Sequence, residues 1–272
     1  MNWQMILPDA KELGEMDLSS ALEIRLRPGY PLQALLPEGT WEGDHPLSPD
    51  EIARAAAALS GHTLAMRRDM LAKGFLPLPG GHRMGIAGIM NEKGLWEITS
   101  LCVRMAHEIK GVGADIFPHI RGKSTLIIGP PGTGKTTLLR DLIRLYSLEG
   151  RQVGVADERG EIAGCINGAP QLDMGPCCDI ISHMEKAQAL LLLLRAMAPQ
   201  ILATDELDGE KEAAAVLESI RCGVLLLSSA HADSVESLKK RPGMESLLEK
   251  GAFERAVILT KIGEKPEIRE VF

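Results

Sequence analysis

From Ser124 to Tyr146 the sequence reads STLIIGPPGTGKTTLLRDLIRLY. An apolar run, a glycine-rich turn, a lysine-threonine pair and an amphipathic stretch follow in that order. Few local structures accommodate all four except a buried strand that turns through a phosphate-binding loop into a helix. Gly129, Gly134, Lys135 and Thr136 fit G-x-x-x-x-G-K-[ST], and Pro130, Pro131, Gly132 and Thr133 fill the loop. The spacing has a mechanical reason. Glycines let backbone N–H groups wrap phosphates, the helix N-terminus adds positive potential, Lys135 reaches the terminal phosphates, and Thr136 takes Mg²⁺. With Thr137 on the first helical turn, Gly129–Thr137 is the expected ATP-binding segment.

The elements beyond the loop set the fold class. Short apolar segments alternate with helical ones: Ser124–Ile128, Gly134–Leu148, Gln152–Ala156, Glu185–Met197, Gln200–Thr204, Glu210–Arg221, Val224–Ser228 and Arg255–Lys261. This alternation predicts a mostly parallel sheet with helices on both faces. The glycine- and proline-rich stretch from Asp157 to Ser182 reads as a long loop, functional or mobile. Before the loop domain, Ala21–Leu36 and Gly74–Met90 read as hairpins and Leu95–Ala106 as a strand. Ser48–Ser60 is a helix with a Ser-Pro start and acids in its first turn, and His62–Lys73 follows as another. The predicted division is an N-terminal α/β domain over 1–106, a linker over 107–122 and a phosphate-loop domain over 123–272.

Two polar clusters sit where such sheets assemble their sites. APQILATDEL brings an apolar strand to Asp205-Glu206. Asp205 is expected to hold Mg²⁺ through water, and Glu206 to activate the attacking water as general base. VADERGEIAG places Asp157, Glu158 and Glu161 beyond another strand, and Glu158 or Glu161 stands as a second group to orient water or Mg²⁺. LLLSSAHA ends a buried strand with His231, placed to sense the terminal phosphate. A carboxylate base beside Mg²⁺ favours hydrolysis over transfer to an acceptor. Arg83, Arg104, Arg159 and Arg195 are the candidates for an arginine finger, and spacing does not choose among them.

Composition narrows the partners. The formal net charge is −7, the sequence pI about 5.6 and the aromatic content 3%, which argues against direct nucleic-acid binding. The N-terminus has no basic and apolar leader, and the run ALLLLL stops at Arg195, far short of the roughly 20 apolar residues of a membrane span. A cytoplasmic location is expected. The five cysteines include no CxxC spacing, so neither a disulfide framework nor a zinc site is indicated. Cys177-Cys178 reads as a pair of loop thiols.

At this point the chain resembles the stage III sporulation protein AA family, which is related to the secretion ATPases. The resemblance spans most of the chain. It rests on LEIRLRPGYPL, GFLPLPGGHRMGIAG and SLCVRMAHEIKG before the junction, then on GPPGTGKTTLLRDLIR, VADERGEIAG, GAPQLDMGPCCDI, LLLLRAMAPQILATDEL and SAHA. The resemblance implies an acidic box matched by Asp157–Glu161 and a histidine box matched by Ser229–His231. It further implies a RecA-like ATPase domain, a hexameric ring, and a cytoplasmic ATPase docked on membrane-embedded channel or export-apparatus proteins during endospore formation. SAHA stands where Thr-Ala-His-Gly is usual in secretion ATPases, and Leu207-Asp208 replaces a more usual basic residue. The alternatives are a nucleic-acid-stimulated ATPase and a non-hydrolysing nucleotide switch.

Overall fold

The computed structural model describes residues 2–9, 18–62, 74–90, 96–207, 209–241, 243–260 and 266–271. The helix expected over His62–Lys73 lies outside them apart from its first residue. The chain separates into two compact units, one of Met1–His107 with Ile166–Gln171, the other of Glu108–Cys165 with Leu172–Phe272.

The first unit carries a six-stranded sheet in the order β3-β2-β1-β6-β5-β4. Its strands are β1 (Glu23–Leu26), β2 (Pro31–Leu36), β3 (Gly39–Pro46), β4 (Phe75–Leu78), β5 (His82–Met90) and β6 (Trp96–Arg104), and every neighbouring pair is antiparallel. Period-two alternation puts Ile24, Leu26, Leu32, Ala34, Met84 and Val103 on one buried face. The short helix α1 (Trp3–Ile6) and the helix α2 (Pro49–Leu59) contribute to the same core, the latter through Ile52, Ala55 and Ala56.

The start of α2 follows its sequence signals. Ser48 Oγ accepts from the Glu51 N–H at 3.3 Å, Glu51 Oε2 accepts from the Ser48 N–H at 2.8 Å, and Pro49 opens the helix. The bond from the Ser48 backbone draws the Glu51 carboxyl down to about 2; the Ser48 hydroxyl and His45 add to this against the cost of burial. A carboxylate held below its ordinary pKa contributes stability that is complete above about 4.5 and is lost as pH falls toward 2. Glu51→Gln is therefore expected to flatten the acid limb of the unfolding midpoint between pH 5 and pH 2. Parallel profiles for parent and variant would remove Glu51 as its source. Ser48→Ala should cost about 1 kcal/mol at neutral pH.

The second unit holds a seven-stranded sheet in the order β13-β12-β7-β11-β10-β8-β9. These strands are β7 (Thr125–Gly129), β8 (Val153–Asp157), β9 (Cys178–Ser182), β10 (Ile201–Thr204), β11 (Leu225–His231), β12 (Arg255–Ile258) and β13 (Glu267–Glu270). All neighbours are parallel except β12 and β13. Its helices are α3 (Phe117–Ile120), α4 (Lys135–Leu148), α5 (Lys186–Met197), α6 (Glu210–Arg221), α7 (Val235–Leu238) and α8 (Met244–Glu249). Alternation along the buried strands builds two cores. Ile127, Val153, Val155, Ala203 and Leu227 pack with α3 and α4, while Leu126, Ile128, Leu202, Leu226 and Ala256 pack with α5, α6 and α8. This is the two-faced parallel sheet that the alternation predicted.

Three departures have local causes. The stretch read as one loop from Asp157 to Ser182 ends in the edge strand β9, whose residues are all half-buried and give no clean alternation. Cys178 therefore opens a strand rather than lying in a loop, and burial pushes its thiol up to about 12. The strand predicted over Val224–Ser228 continues to His231, so the serines and the histidine belong to the ladder itself.

Candidate functional site

The phosphate loop has the predicted geometry. Gly129 ends β7, and a Cβ there would come within 2.6 Å of the Leu259 carbonyl and 2.8 Å of Thr133 Oγ1. Gly134 takes φ +92° directly before α4, a left-handed turn open to glycine at no steric cost. Thr133 Oγ1 donates to the Pro130 carbonyl at 2.9 Å and pins the loop on itself. Thr136 and Thr137 lie half-buried on the first turn of α4.

Strand order assembles the rest. β11 lies between β7 and β10, and His231 stands in register with Gly129. His231 can therefore reach the loop on one side and the end of β10 on the other. Lys135 is nearly buried, and its Nζ donates to the carbonyls of Gly129 at 2.8 Å and Pro130 at 2.7 Å. It also lies 3.0 Å from His231 Nδ1. A lysine ammonium has only donors, so Nδ1 is the acceptor and the proton of the neutral ring sits on Nε2. That nitrogen faces Glu206 Oε1 at 2.5 Å, and Glu206 Oε2 meets Arg159 Nη1 at 2.6 Å. The result is one hydrogen-bonded chain, Lys135–His231–Glu206–Arg159, across three strand ends and the acidic segment after β8.

Charges along the chain follow their surroundings. Burial depresses the Lys135 ammonium, and the charge of Glu206 partly restores it. Burial alone raises the Glu206 carboxyl, yet the bond from His231 and the charge of Arg159 outweigh it, so Glu206 lies below the usual carboxylate range. Asp205 differs. It is 1% exposed, and its Oδ2 has no hydrogen-bond partner among the described residues. Burial pushes its carboxyl up to about 7; Lys186 opposes this, while Asp157, Glu161 and Glu206 add to it.

The acidic box divides into distinct parts. Asp157 is fully buried, and its carboxylate accepts the N–H groups of Glu161 at 2.9 Å, Ile162 at 3.1 Å and Ala163 at 2.9 Å. It folds the box rather than facing a ligand. Arg140 on α4 donates to the carbonyls of Ile162 at 2.6 Å and Glu161 at 2.8 Å, binding the same segment to the phosphate-loop helix. Glu158 is exposed and lines a cavity of about 220 Å³ with Arg159, Lys186, Glu206, Glu212 and His231. Glu161 is half-buried and does not line that cavity. Of the four arginines, Arg159 meets Glu206. Arg195 pairs with Glu218 at 3.3 Å, Arg83 stacks 3.7 Å over Phe75, and Arg104 pairs with Glu23 at 3.5 Å.

Lys186, Glu212 and Arg241 line the cavity without having been singled out by the sequence, and Lys186 is the most buried of the three. Lys186, the first residue of α5, is 5% exposed and donates to the Glu206 carbonyl at 2.9 Å. Its signal was a cation in the first turn of a helix, where the dipole disfavours it.

Residues 9–272 match the family described as Sporulation stage III, protein AA. Stage III sporulation protein AA of Bacillus subtilis (strain 168) is 32% identical over 285 residues, covering 98% of this chain and 93% of that protein. The uncharacterized protein ycf45 of Cyanidium caldarium is 30% identical over 60% of this chain and 49% of its own length. Among solved structures, the Legionella pneumophila ATPase DotB has a TM-score of 0.63 at 16% identity, covering 93% of this chain and 75% of that one. The pilus retraction motor PilT with bound ADP also has a TM-score of 0.63, at 14% identity, covering 98% and 81%. At such identities the likeness speaks of fold, and the fold is that of a P-loop ATPase.

Proposed function

The chain belongs to the family Sporulation stage III, protein AA, and we propose that it is a Mg-dependent ATP hydrolase that powers a membrane-associated export or assembly channel during endospore formation. The observation that carries the reading is the direct hydrogen-bonded link from Lys135 through His231 to Glu206. It joins the group that would take the phosphates to the carboxylate that would activate water, and so places a candidate general base next to the phosphate site.

Each residue has a task in this reading. Backbone N–H groups of Gly129–Thr137 and the Lys135 ammonium hold the phosphates. The donors of Lys135 are occupied by the Gly129 and Pro130 carbonyls, and the terminal phosphates replace these partners. His231 keeps its Nε2 proton on Glu206, and it senses the terminal phosphate through Lys135, whose move from Nδ1 to the phosphate breaks the link between them. Glu206 takes the proton of the attacking water, with Glu158 or Glu161 as a second orienting acid. Thr136 and Asp205 fit a hard cation: among the described residues the buried Asp205 Oδ2 lacks a partner, and no cluster of three or more acidic, histidine or cysteine side chains offers a protein cage. When bound, Mg²⁺ would neutralise charge on the β- and γ-phosphate oxygens.

The wider reading is a homo-hexamer in the cytoplasm, held at the membrane face by channel or export-apparatus proteins, with no direct nucleic-acid role. The domains are 1–106, a linker over 107–122, and 123–272. Among the described residues no helix is long and apolar enough to cross a membrane. The test is Mg-ATP turnover per subunit across a range of protein concentrations, with and without single-stranded DNA. The rate per subunit should rise steeply with concentration and ignore DNA. A rate independent of concentration removes the hexamer reading, in which contacts between subunits complete the site. A several-fold, salt-sensitive stimulation by DNA returns the nucleic-acid reading. ATP binding without turnover at any concentration leaves a nucleotide switch.

A further inference from the structure

Lys186 is buried against two forces. Its charge stands at the N-terminus of α5, where the helix dipole repels it, and it is 5% exposed, where a lysine persists only with partners. Those partners are the acid strand end and Glu212 on α6. The ammonium donates to the Glu206 carbonyl at 2.9 Å, while Asp205 Oδ1 and Glu212 Oε1 are each 3.9 Å away. The directional bond goes to the main chain; the two carboxylates are at ion-pair distance only.

The carbonyl that Lys186 holds belongs to an unusual backbone. Glu206 has φ +43°, in the left-handed region that a non-glycine residue enters at a cost of about 1 kcal/mol or more. β10 ends at Thr204, and beyond it the Glu206 carbonyl faces the buried Lys186 while the side chain faces His231 and Arg159. Both faces of the turn are tied. The Glu206 N–H donates to Ser229 Oγ at 3.1 Å and the Leu207 N–H to the Ser229 carbonyl at 2.9 Å. Lys186 completes the set from the side of α5.

We propose that Lys186 is a positioning residue that clamps the Glu206 carbonyl and so holds the left-handed turn which aims the Glu206 carboxylate at His231. Its catalytic consequence rests on the hydrolase reading above; the clamp itself does not. Lys186 touches neither nucleotide nor water in this role. It acts through the main chain of the residue that does.

Two readouts test it on the full chain. In nucleotide-free protein, Lys186→Met should speed hydrogen exchange of the Glu206 and Leu207 amides about tenfold while β7 and α4 keep parental protection. In the turnover assay it should lower kcat about tenfold or more, with affinity for a fluorescent ADP analogue kept within about threefold. Lys186→Gln retains a donor one atom shorter and should lie between parent and Lys186→Met, which also covers failure of the methionine variant to fold. Glu212→Gln removes a charge without touching the clamp and should leave the exchange as in the parent. Parental exchange at Glu206 and Leu207 in both Lys186 variants overturns the proposal, as does a rise spread evenly over the whole sheet. A parent with no turnover overturns the hydrolase reading instead, and the exchange result still decides the clamp.

Discussion

Glu206→Gln should lower Mg-ATP turnover by about 10³-fold while nucleotide affinity stays within about threefold of the parent. A general base contributes roughly 10²–10⁴-fold, and glutamine cannot take a proton from water. The substitution is otherwise gentle. The glutamine oxygen still accepts from His231 Nε2, now 2.5 Å from Glu206 Oε1, while the amide nitrogen replaces the oxygen that accepts from Arg159, so that charge-assisted bond is lost. Lys135→Ala is the contrasting variant. It removes the ammonium proposed to hold the phosphates and should weaken nucleotide binding itself, by about 10–100-fold for charge-assisted bonds worth about 1.5–3 kcal/mol. Equilibrium binding beside steady-state rates separates the two. Parental turnover in Glu206→Gln would move the base to Glu158, which lines the same cavity, or to Glu161.

Asp157→Ala should destabilise the second unit by about 3–5 kcal/mol. The carboxylate is fully buried and accepts three backbone N–H groups of the segment that follows. Alanine leaves those three donors in a dry site with nothing to replace the acceptor. The Arg140 bonds to the Glu161 and Ile162 carbonyls would then tie α4 to a segment without its own anchor. Glu158→Gln, at an exposed side chain, should change stability by less than about 0.5 kcal/mol. The measurement is exchange of the buried β10 and β11 amides, which reports unfolding of this unit. Tryptophan fluorescence would report the other one, since Trp3, Trp41 and Trp96 all lie there. A loss below about 1 kcal/mol for Asp157→Ala would mean that the box is held by other contacts.

These two variants mark how far the site was legible in the chain. The loop, the acid pair and the histidine were found as strand-end residues because each follows an apolar run, and buried parallel strands put their polar chemistry at their ends. The acidic box was found as a group but not sorted. Asp157, Glu158 and Glu161 are neighbours of one type, and only folding makes the first a buried anchor, the second a cavity wall and the third a half-buried side chain. β9 escaped because an edge strand, half-buried along its length, has neither the continuous apolar run nor the alternation that marks the others. The family resemblance, carried by the order of several segments, is borne out by the match over residues 9–272.

What the sequence determined by itself was whatever depends on residues close along the chain: the phosphate loop and its helix, the capped start of α2, the alternation of strands with helices, and so the parallel sheet. What only the tertiary structure decided was who meets whom at the end of that sheet. Lys135, His231, Glu206 and Arg159 come from four separate segments, and Lys186 from a fifth. Crossover connections place β11 between β7 and β10, and no spacing along the chain encodes that order. The left-handed turn at Glu206 is of the same kind. Its local preference is unfavourable, and it persists because Ser229 and Lys186, distant in sequence, bond to its main chain on both sides.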